Sequence, residues 1–245
     1  MELGLIITDV HLDADKWKHP SYELVKLFAQ DIKPDWVVNL GDWLDLSYIS
    51  SFNEAFLRKL ENKRYMKDVD LANRELDFWQ RIADDHILLE GNHDFRVKRW
   101  IDKNPAMEGF LEYENVMKLY ERQIPYVWSH EQPYKKGKLM MHHGRFCNKY
   151  SAAKHLDVYM GNIVFGHVHK FQTASKVIPN YDDEIQAWSI ACLSDVEPEY
   201  AKNQPLGHQN GFAVVEMDPE TGAFNLYPIN IIRGSFIYGG RRWGQ

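Results

Sequence analysis

Two segments, Asp9-Val10-His11 and His167-Val168-His169, each place two potential metal ligands at i and i+2. Between them lie Gly41-Asp42 with Asp45, then Gly91-Asn92-His93-Asp94, then His142-His143-Gly144. Side chains at i and i+2 of an extended chain share a face, so each pair could serve one site. Imidazole, carboxylate and one carboxamide, without thiolate, suit Mn, Fe, Co, Ni or Zn better than Mg or Ca, which favour all-oxygen shells. Asp9, His11, Asp42, Asn92, His143, His167 and His169 are too many for one ion. They suit two ions that share a carboxylate. Two metals roughly 3.5–4 Å apart can hold a hydroxide and clamp both oxygens of an in-line displacement at phosphorus.

Residues this far apart meet only if the elements carrying them converge. Each run closes a short apolar stretch, at 3–11, 35–42, 86–94, 138–144 and 162–169. Such stretches, rich in Ile, Val and Leu, read as buried strands. Helical spacing lies between them. Leu24, Leu27, Phe28 and Ile32 form one face over 20–32, with Pro20 suited to a first turn and Pro34 as a stop. Residues 70–83 and 151–160 carry similar faces. Strand–helix alternation implies βαβ units and a partly parallel sheet, whose strand carboxyl ends are where ligands gather. Glycines 41, 91 and 166 let the chain turn sharply or approach closely there. Residues 184–193, 211–218 and 223–232 read as strands, and are expected to build a second, more antiparallel sheet on the first. The closing GGRRWGQ is expected to fray.

The totals narrow the field. The chain has 245 residues, a length that one domain can use, and a net charge of −6. That balance gives no global basic field to recruit nucleic acid, though a local patch would suffice for a nucleic-acid partner. Cys147 and Cys192 form no C-x-x-C, which argues against a disulfide framework and fits a reducing compartment. The first residues, MELGLIITDVHLD, have no basic start, and their apolar run is too short for a signal peptide or a membrane span. The expectation is a cytoplasmic enzyme without a membrane segment.

In order, D-x-H, GD-x-x-D, GNHD, H-G and G-H-x-H resemble the calcineurin-like metallophosphoesterase superfamily. The motifs span 9–169 and are specific as a set. The resemblance implies an α/β, four-layer α-β-β-α sandwich of two mixed β-sheets flanked by helices. It implies two divalent transition-metal ions, manganese foremost. One ion would take Asp9, His11, Asp42 and His169; the other Asp42, Asn92, His143 and His167. His93 matches the family's general acid, and Asp45 would orient it. Phosphate chemistry needs these parts, because an alkoxide leaving group must be protonated and such help is worth on the order of 10²–10⁴-fold.

Each motif also has a plain structural reading. Asp9 and His11 could form a turn, and Asp42 could cap a helix. His142 and His143 compete for one role; the family places its ligand directly before glycine, which favours His143 and leaves His142 on the other face of its strand. Asp94 could cap the segment after it. His19, His86, His130, His155 and His208 match no motif and read as surface or core. Arg96, Lys98, Arg99 and Lys103 follow the GNHD loop either as a phosphate clamp, with Arg96 nearest, or as a solvated face. Arg145, just after His143-Gly144, is a second candidate phosphate ligand.

Leu46-Ser47 follows Asp45 where the protein serine/threonine phosphatases of the superfamily carry arginine and glycine, and those enzymes lack a paired G-H-x-H. The pattern is closer to the small phosphodiesterases and nucleases, and the run from Leu193 to Glu216 resembles the tail of phosphoesterases of bacterial viruses. The expectation is one domain over 1–245, with helical cap elements about 50–83 and 95–125, a phosphate-ester substrate and room for a homo-oligomer. The reaction expected is phosphodiester hydrolysis by a metal-held hydroxide. The alternatives are a nuclease, a phosphomonoesterase and, last, an inactive scaffold.

Overall fold

The chain enters as β1 (Glu2–Ile7), where Leu5, Ile6 and Ile7 are fully buried on both faces of the strand. The computed structural model describes residues 1–16, 19–50, 60–128, 132–178, 183–198 and 205–244. Helix α1 (Pro20–Ile32) starts where the His19 side chain accepts from the Ser21 amide, and ends at Lys33 in the left-handed region before Pro34. β2 (Trp36–Asn39), α2 (Tyr65–Ile82) and β3 (Asp85–Leu89) follow. Next come α3 (Arg96–Lys103), the short α4 (Tyr113–Val116), β4 (Tyr126–Val127), β5 (Tyr134–Lys136) and β6 (Leu139–His142). Helix α5 (Ser151–Tyr159), β7 (Ile163–Phe165), β8 (Gln172–Ile178) and β9 (Asp183–Ser189) lead to β10 (Asn210–Met217) and β11 (Phe224–Ile231). A hairpin of β12 (Ser235–Tyr238) and β13 (Arg241–Gly244) closes the chain.

Two mixed sheets result, in the order β11-β10-β1-β2-β3-β4 and β5-β6-β7-β9-β8. β1 to β4 pair in parallel, as do β6, β7 and β9. Period-two alternation sorts the side chains into layers. Ile6, Val38, Leu40 and Ile87 of the first sheet meet Leu139, Met141, Val164 and Ile190 between the sheets. The intervening Leu5, Ile7, Val37 and Leu88 face outward and are covered by Val25, Phe28 and Ala29 of α1 and by Leu76 and Trp79 of α2. On the far side Ile163 and Phe165 meet Ala152 and Leu156 of α5. This is the four-layer α-β-β-α arrangement. Each such aliphatic or aromatic side chain contributes about 1.5–3 kcal/mol by leaving water.

Two expectations are corrected. The C-terminal strands do not make a sheet of their own. β10 joins the first sheet, antiparallel to β1 with Leu5 opposite Val214 and Ile6 opposite Ala213. Phe212 to Val215 are apolar at consecutive positions because both faces of β10 are buried, and β1 offers the open flank. The second sheet is built from β5 to β9 instead, and of the three expected strands only the one at 184–193 contributes to it, as β9. The tail is also paired through Gly244, and Trp243 sets its ring 5.0 Å from Phe28 and stacks on Phe236. The apolar side chain on β13 was the signal passed over. Of the expected cap at 50–83, residues 51–59 lie outside the described residues, and α2 begins at Tyr65. Among the described residues no helix is long and apolar enough to cross a membrane.

Candidate metal centre

The loops after β1, β2, β3, β6 and β7 meet at one edge of the sandwich, and their main chains lock together. Asp9 donates its amide to the Gly41 carbonyl at 3.0 Å, His11 to Asp42 at 3.0 Å, and Leu12 to Trp43 at 2.8 Å. The Gly166 amide donates to the His143 carbonyl at 2.8 Å, and the His167 amide to Asp9 Oδ2 at 2.9 Å. The i, i+2 pairs do not converge by strand alternation as expected. Asp9, His11, His167 and His169 all sit at positive φ, 50°, 49°, 68° and 55°, and so does Asp42 at 51°. A left-handed conformation costs a non-glycine residue about 1–2 kcal/mol, so five in one pocket mark backbone shaped for the site. Gly91 and Gly166 act by close approach: a β-carbon on Gly91 would strike Asp42, and one on Gly166 would strike Thr8 and Asp9.

The seven expected ligands form one unbroken series. Asp9 Oδ1 lies 3.1 Å from His169 Nε2, which lies 3.3 Å from His11 Nε2. His11 Nε2 is 3.7 Å from Asp42 Oδ2, and Asp42 Oδ1 is 3.4 Å from His143 Nε2. His143 Nε2 is 3.0 Å from Asn92 Oδ1, and the His167 ring is centred 5.0 Å from that of His143. Among the described residues three metal-capable groups emerge, two of them, Asp9-His11-His169 and Asp42-His143-His167, within this series, each with its ligating atoms within 4.8 Å of one another. Asp9 and Asp42 are 0% and 2% exposed.

Proton bookkeeping tests whether ions fit. His143 Nδ1 donates to the Leu40 carbonyl at 3.1 Å, which leaves a bare lone pair on Nε2. With Asp42 ionised, that lone pair faces a carboxylate oxygen and a carboxamide oxygen, three acceptors with no hydrogen to share. Burial holds His143 down to about 3 and His11 well below its ordinary value, so both rings stay neutral ligands. Burial, together with the charges of Asp9 and Asp94, pushes the Asp42 carboxyl up to about 7 despite His93. A buried carboxylate short of positive charge beside unprotonated imidazoles fits divalent cations.

His93 lies at the rim, its amide donating to Asp42 Oδ1 at 2.7 Å. Its Nδ1 donates to the main-chain oxygen of Asp45 at 2.6 Å, while the Asp45 carboxylate stands off at 3.5 Å. The shorter bond comes from the Asp45 backbone, with the carboxylate that the sequence suggested beside it. Burial opposes a charged His93 ring, but Asp42 and Asp45 outweigh it and raise its pKa. Arg96, at the start of α3, donates from Nη1 to the Asp45 oxygen and from Nη2 to His93 Nε2, both at 2.8 Å.

Other residues fall outside the series. Arg145 is exposed, and its charge acts on His155 and Tyr159 of α5. Asp94 accepts from the Trp43, Leu44 and Gly91 amides and ties the second loop to the third. Trp43 is fully buried in the core. His130 lies outside the described residues. His208 is an addition: its ring is 4.6 Å from His169, and the neighbouring Gln209 amide donates to the His169 carbonyl. The Gly207-His208 pair was its only sequence signal, and it is a common one.

A family model described as calcineurin-like phosphoesterase matches residues 5–171. Among solved structures the chain is similar to a single mutant of Vps29 from Entamoeba histolytica, at 14% identity and a TM-score of 0.50, over 96% of each chain. It is also similar to Vps29 from Chaetomium thermophilum, at 11% identity and 0.40, over 94% of this chain and 95% of that one. Hypothetical protein PH1004 from Pyrococcus horikoshii OT3 gives 14% identity and 0.44, over 93% and 88%. At these identities the first likeness speaks to the fold alone and the other two carry no argument. No curated protein matches the chain closely enough to count as a relative.

Proposed function

This chain belongs to the calcineurin-like phosphoesterase family, and on that premise we propose that it is a dinuclear metal-dependent hydrolase of phosphodiesters. Asp9, His11, Asp42 and His169 would hold one ion, and Asp42, Asn92, His143 and His167 the other. Bound there, the ions would supply a water deprotonated near neutral pH and positive charge for oxygens that turn negative. The residues do the rest. Asp42 stands between the two groups, within 3.4 Å of His143 and 3.7 Å of His11, and is placed to be shared. His93 Nε2, which accepts from Arg96 Nη2 in the metal-free protein, is the nitrogen that would protonate the leaving oxygen once a proton replaces that bond. The Asp45 oxygen takes its Nδ1 hydrogen and so fixes which nitrogen does this work. Loss of that proton transfer is worth on the order of 10²–10⁴-fold.

The observation that favours a diester is where the arginines go. Arg96 spends both terminal nitrogens on His93 and Asp45, and Arg145 lies exposed toward α5. Arg96, the arginine nearest the centre, is thereby not left to grip the second charge of a monoester dianion. In the same proposal the chain works as one unit, with α2 to α4 bordering the centre, and it acts in the cytoplasm, in keeping with free Cys147 and Cys192.

Bis(p-nitrophenyl) phosphate and p-nitrophenyl phosphate, each with and without Mn²⁺, test this. The expected result is metal-dependent turnover, with kcat/KM at least about tenfold higher for the diester, roughly 1.4 kcal/mol of transition-state preference. Preference for the monoester would overturn the diester assignment, and no turnover of either after metal loading would overturn the hydrolase. His93→Ala should retain its metal and lose turnover.

A further inference from the structure

Besides the two groups assigned to ions, His11, Asp45 and His93 form a third set whose ligating atoms lie within 4.8 Å of one another. His11 Nδ1 is buried and has no hydrogen-bond partner, and it faces Asp45 Oδ1 at 3.8 Å. The His93 ring is centred 4.3 Å from the His11 ring, edge to face. Two imidazoles and a carboxylate at this spacing are the donor set a zinc ion takes. An ion seated there would claim His93 as a ligand, and a ligand lone pair cannot carry a proton to a leaving group.

On the Nε2 side, among the described residues, Arg96 stands against that outcome. A guanidinium has donors and no acceptor, so the 2.8 Å contact from Nη2 means that His93 Nε2 presents its lone pair to Arg96. Nδ1 is committed to the Asp45 oxygen, which also receives Arg96 Nη1. Both ring nitrogens are thereby occupied, and a fixed positive charge lies beside the third set. Arg96 is also half-buried on α3 and held by two bonds, unlike a surface cation that drifts with solvent.

We propose that Arg96 is a positioning residue that keeps His93 out of the metal shell, so that the centre accepts two ions and refuses a third at His11-Asp45-His93. This rests on the dinuclear reading above. Arg96 is thereby assigned to His93 rather than to the substrate phosphate.

The test is metal stoichiometry, read separately from activity. Wild type, Arg96→Ala and Arg96→Lys are stripped, titrated with Zn²⁺ by calorimetry, dialysed and analysed for metal per chain, with thermal melts as a fold check. Wild type should take two equivalents. Arg96→Ala should take one more, and excess Zn²⁺ should inhibit it at a concentration at least about tenfold lower, the scale of effect seen when partners of ligand residues are removed. Arg96→Lys, which keeps a donor and a charge, should behave as wild type, and Asp45→Asn added to Arg96→Ala should abolish the extra equivalent. Should Arg96→Ala fail to fold, Arg96→Met keeps the packed stem without donor or charge and carries the same expectation. Two equivalents in the variant with unchanged zinc inhibition would overturn the proposal while leaving the dinuclear reading intact. A wild type that binds no metal would overturn that reading itself.

Discussion

His142 and His143 are neighbours in sequence, and their side chains face opposite sides of the second sheet. His143 points into the cleft between the sheets, where its Nε2 faces Asp42 and Asn92 with no hydrogen between them. His142 turns to the outer face of the second sheet. There its Nδ1 accepts from the Gly144 amide at 2.9 Å and its ring lies 5.7 Å from Tyr159. His155, in that same outer layer, closes both nitrogens locally: Nδ1 donates to the Ser151 carbonyl and Nε2 accepts from the Arg145 amide. Its ring stacks on Phe165 with centroids 3.7 Å apart. A histidine whose bonds close within the fold is a packing residue. One whose lone pair meets other acceptors is a candidate ligand for a cation. Residue type is the same in both regions, and the partners decide.

The largest effect expected from this contrast is at the shared carboxylate. Asp42→Asn should lower kcat/KM by about 10³-fold or more, several kcal/mol of lost charge stabilisation, with the fold retained by circular dichroism. Activity within tenfold of wild type would mean that Asp42 is not shared. Next comes the neighbouring pair. His143→Ala should weaken metal binding by more than about 100-fold, whereas His142→Ala should bind metal as wild type does and lose about 1–3 kcal/mol of stability. Equal metal loss in both would erase the distinction between the two faces.

A smaller effect concerns acid. His86 is buried on β3 with neither ring nitrogen hydrogen-bonded, and burial holds its pKa down to about 4, with Arg122 adding to the effect and Asp85 opposing it. The unfolded chain takes up this proton near pH 6.5 and the folded chain does so only near 4. Between those values the unfolded state binds more protons, so stability is lost as pH falls from 6.5 toward 4. His86→Leu should flatten that part of the metal-free melting curve by as much as about 3 kcal/mol, at about 1.4 kcal/mol per pKa unit. Identical pH dependence in the two proteins would place the acid sensitivity in other groups.

The convergence of the candidate ligands was legible because each member sits at a strand end and its residue type restricts what it can bind. Asp9, His11, Asp42, Asn92, His143, His167 and His169 all fall in one series, and the four layers follow from apolar runs and helical faces. The roles of Asp45 and Arg96 were less legible. A main-chain oxygen has no letter of its own, so Asp45 read as a carboxylate when its carbonyl makes the close bond. Arg96 read as a phosphate clamp because proximity in sequence says nothing of which acceptor its fork reaches.

The sequence by itself determined which chemistry is available: imidazole, carboxylate and carboxamide donors at strand ends, with glycine where Asp42, Thr8 and Asp9 leave no room for a β-carbon. Only the tertiary structure decided which nitrogen of each ring is free and which neighbour takes the other. It also placed β10 beside β1 rather than in a sheet of its own. The physical reason is range. Donor type and backbone allowance are properties of single residues, whereas a hydrogen bond or a strand pairing depends on groups brought together from anywhere in the chain.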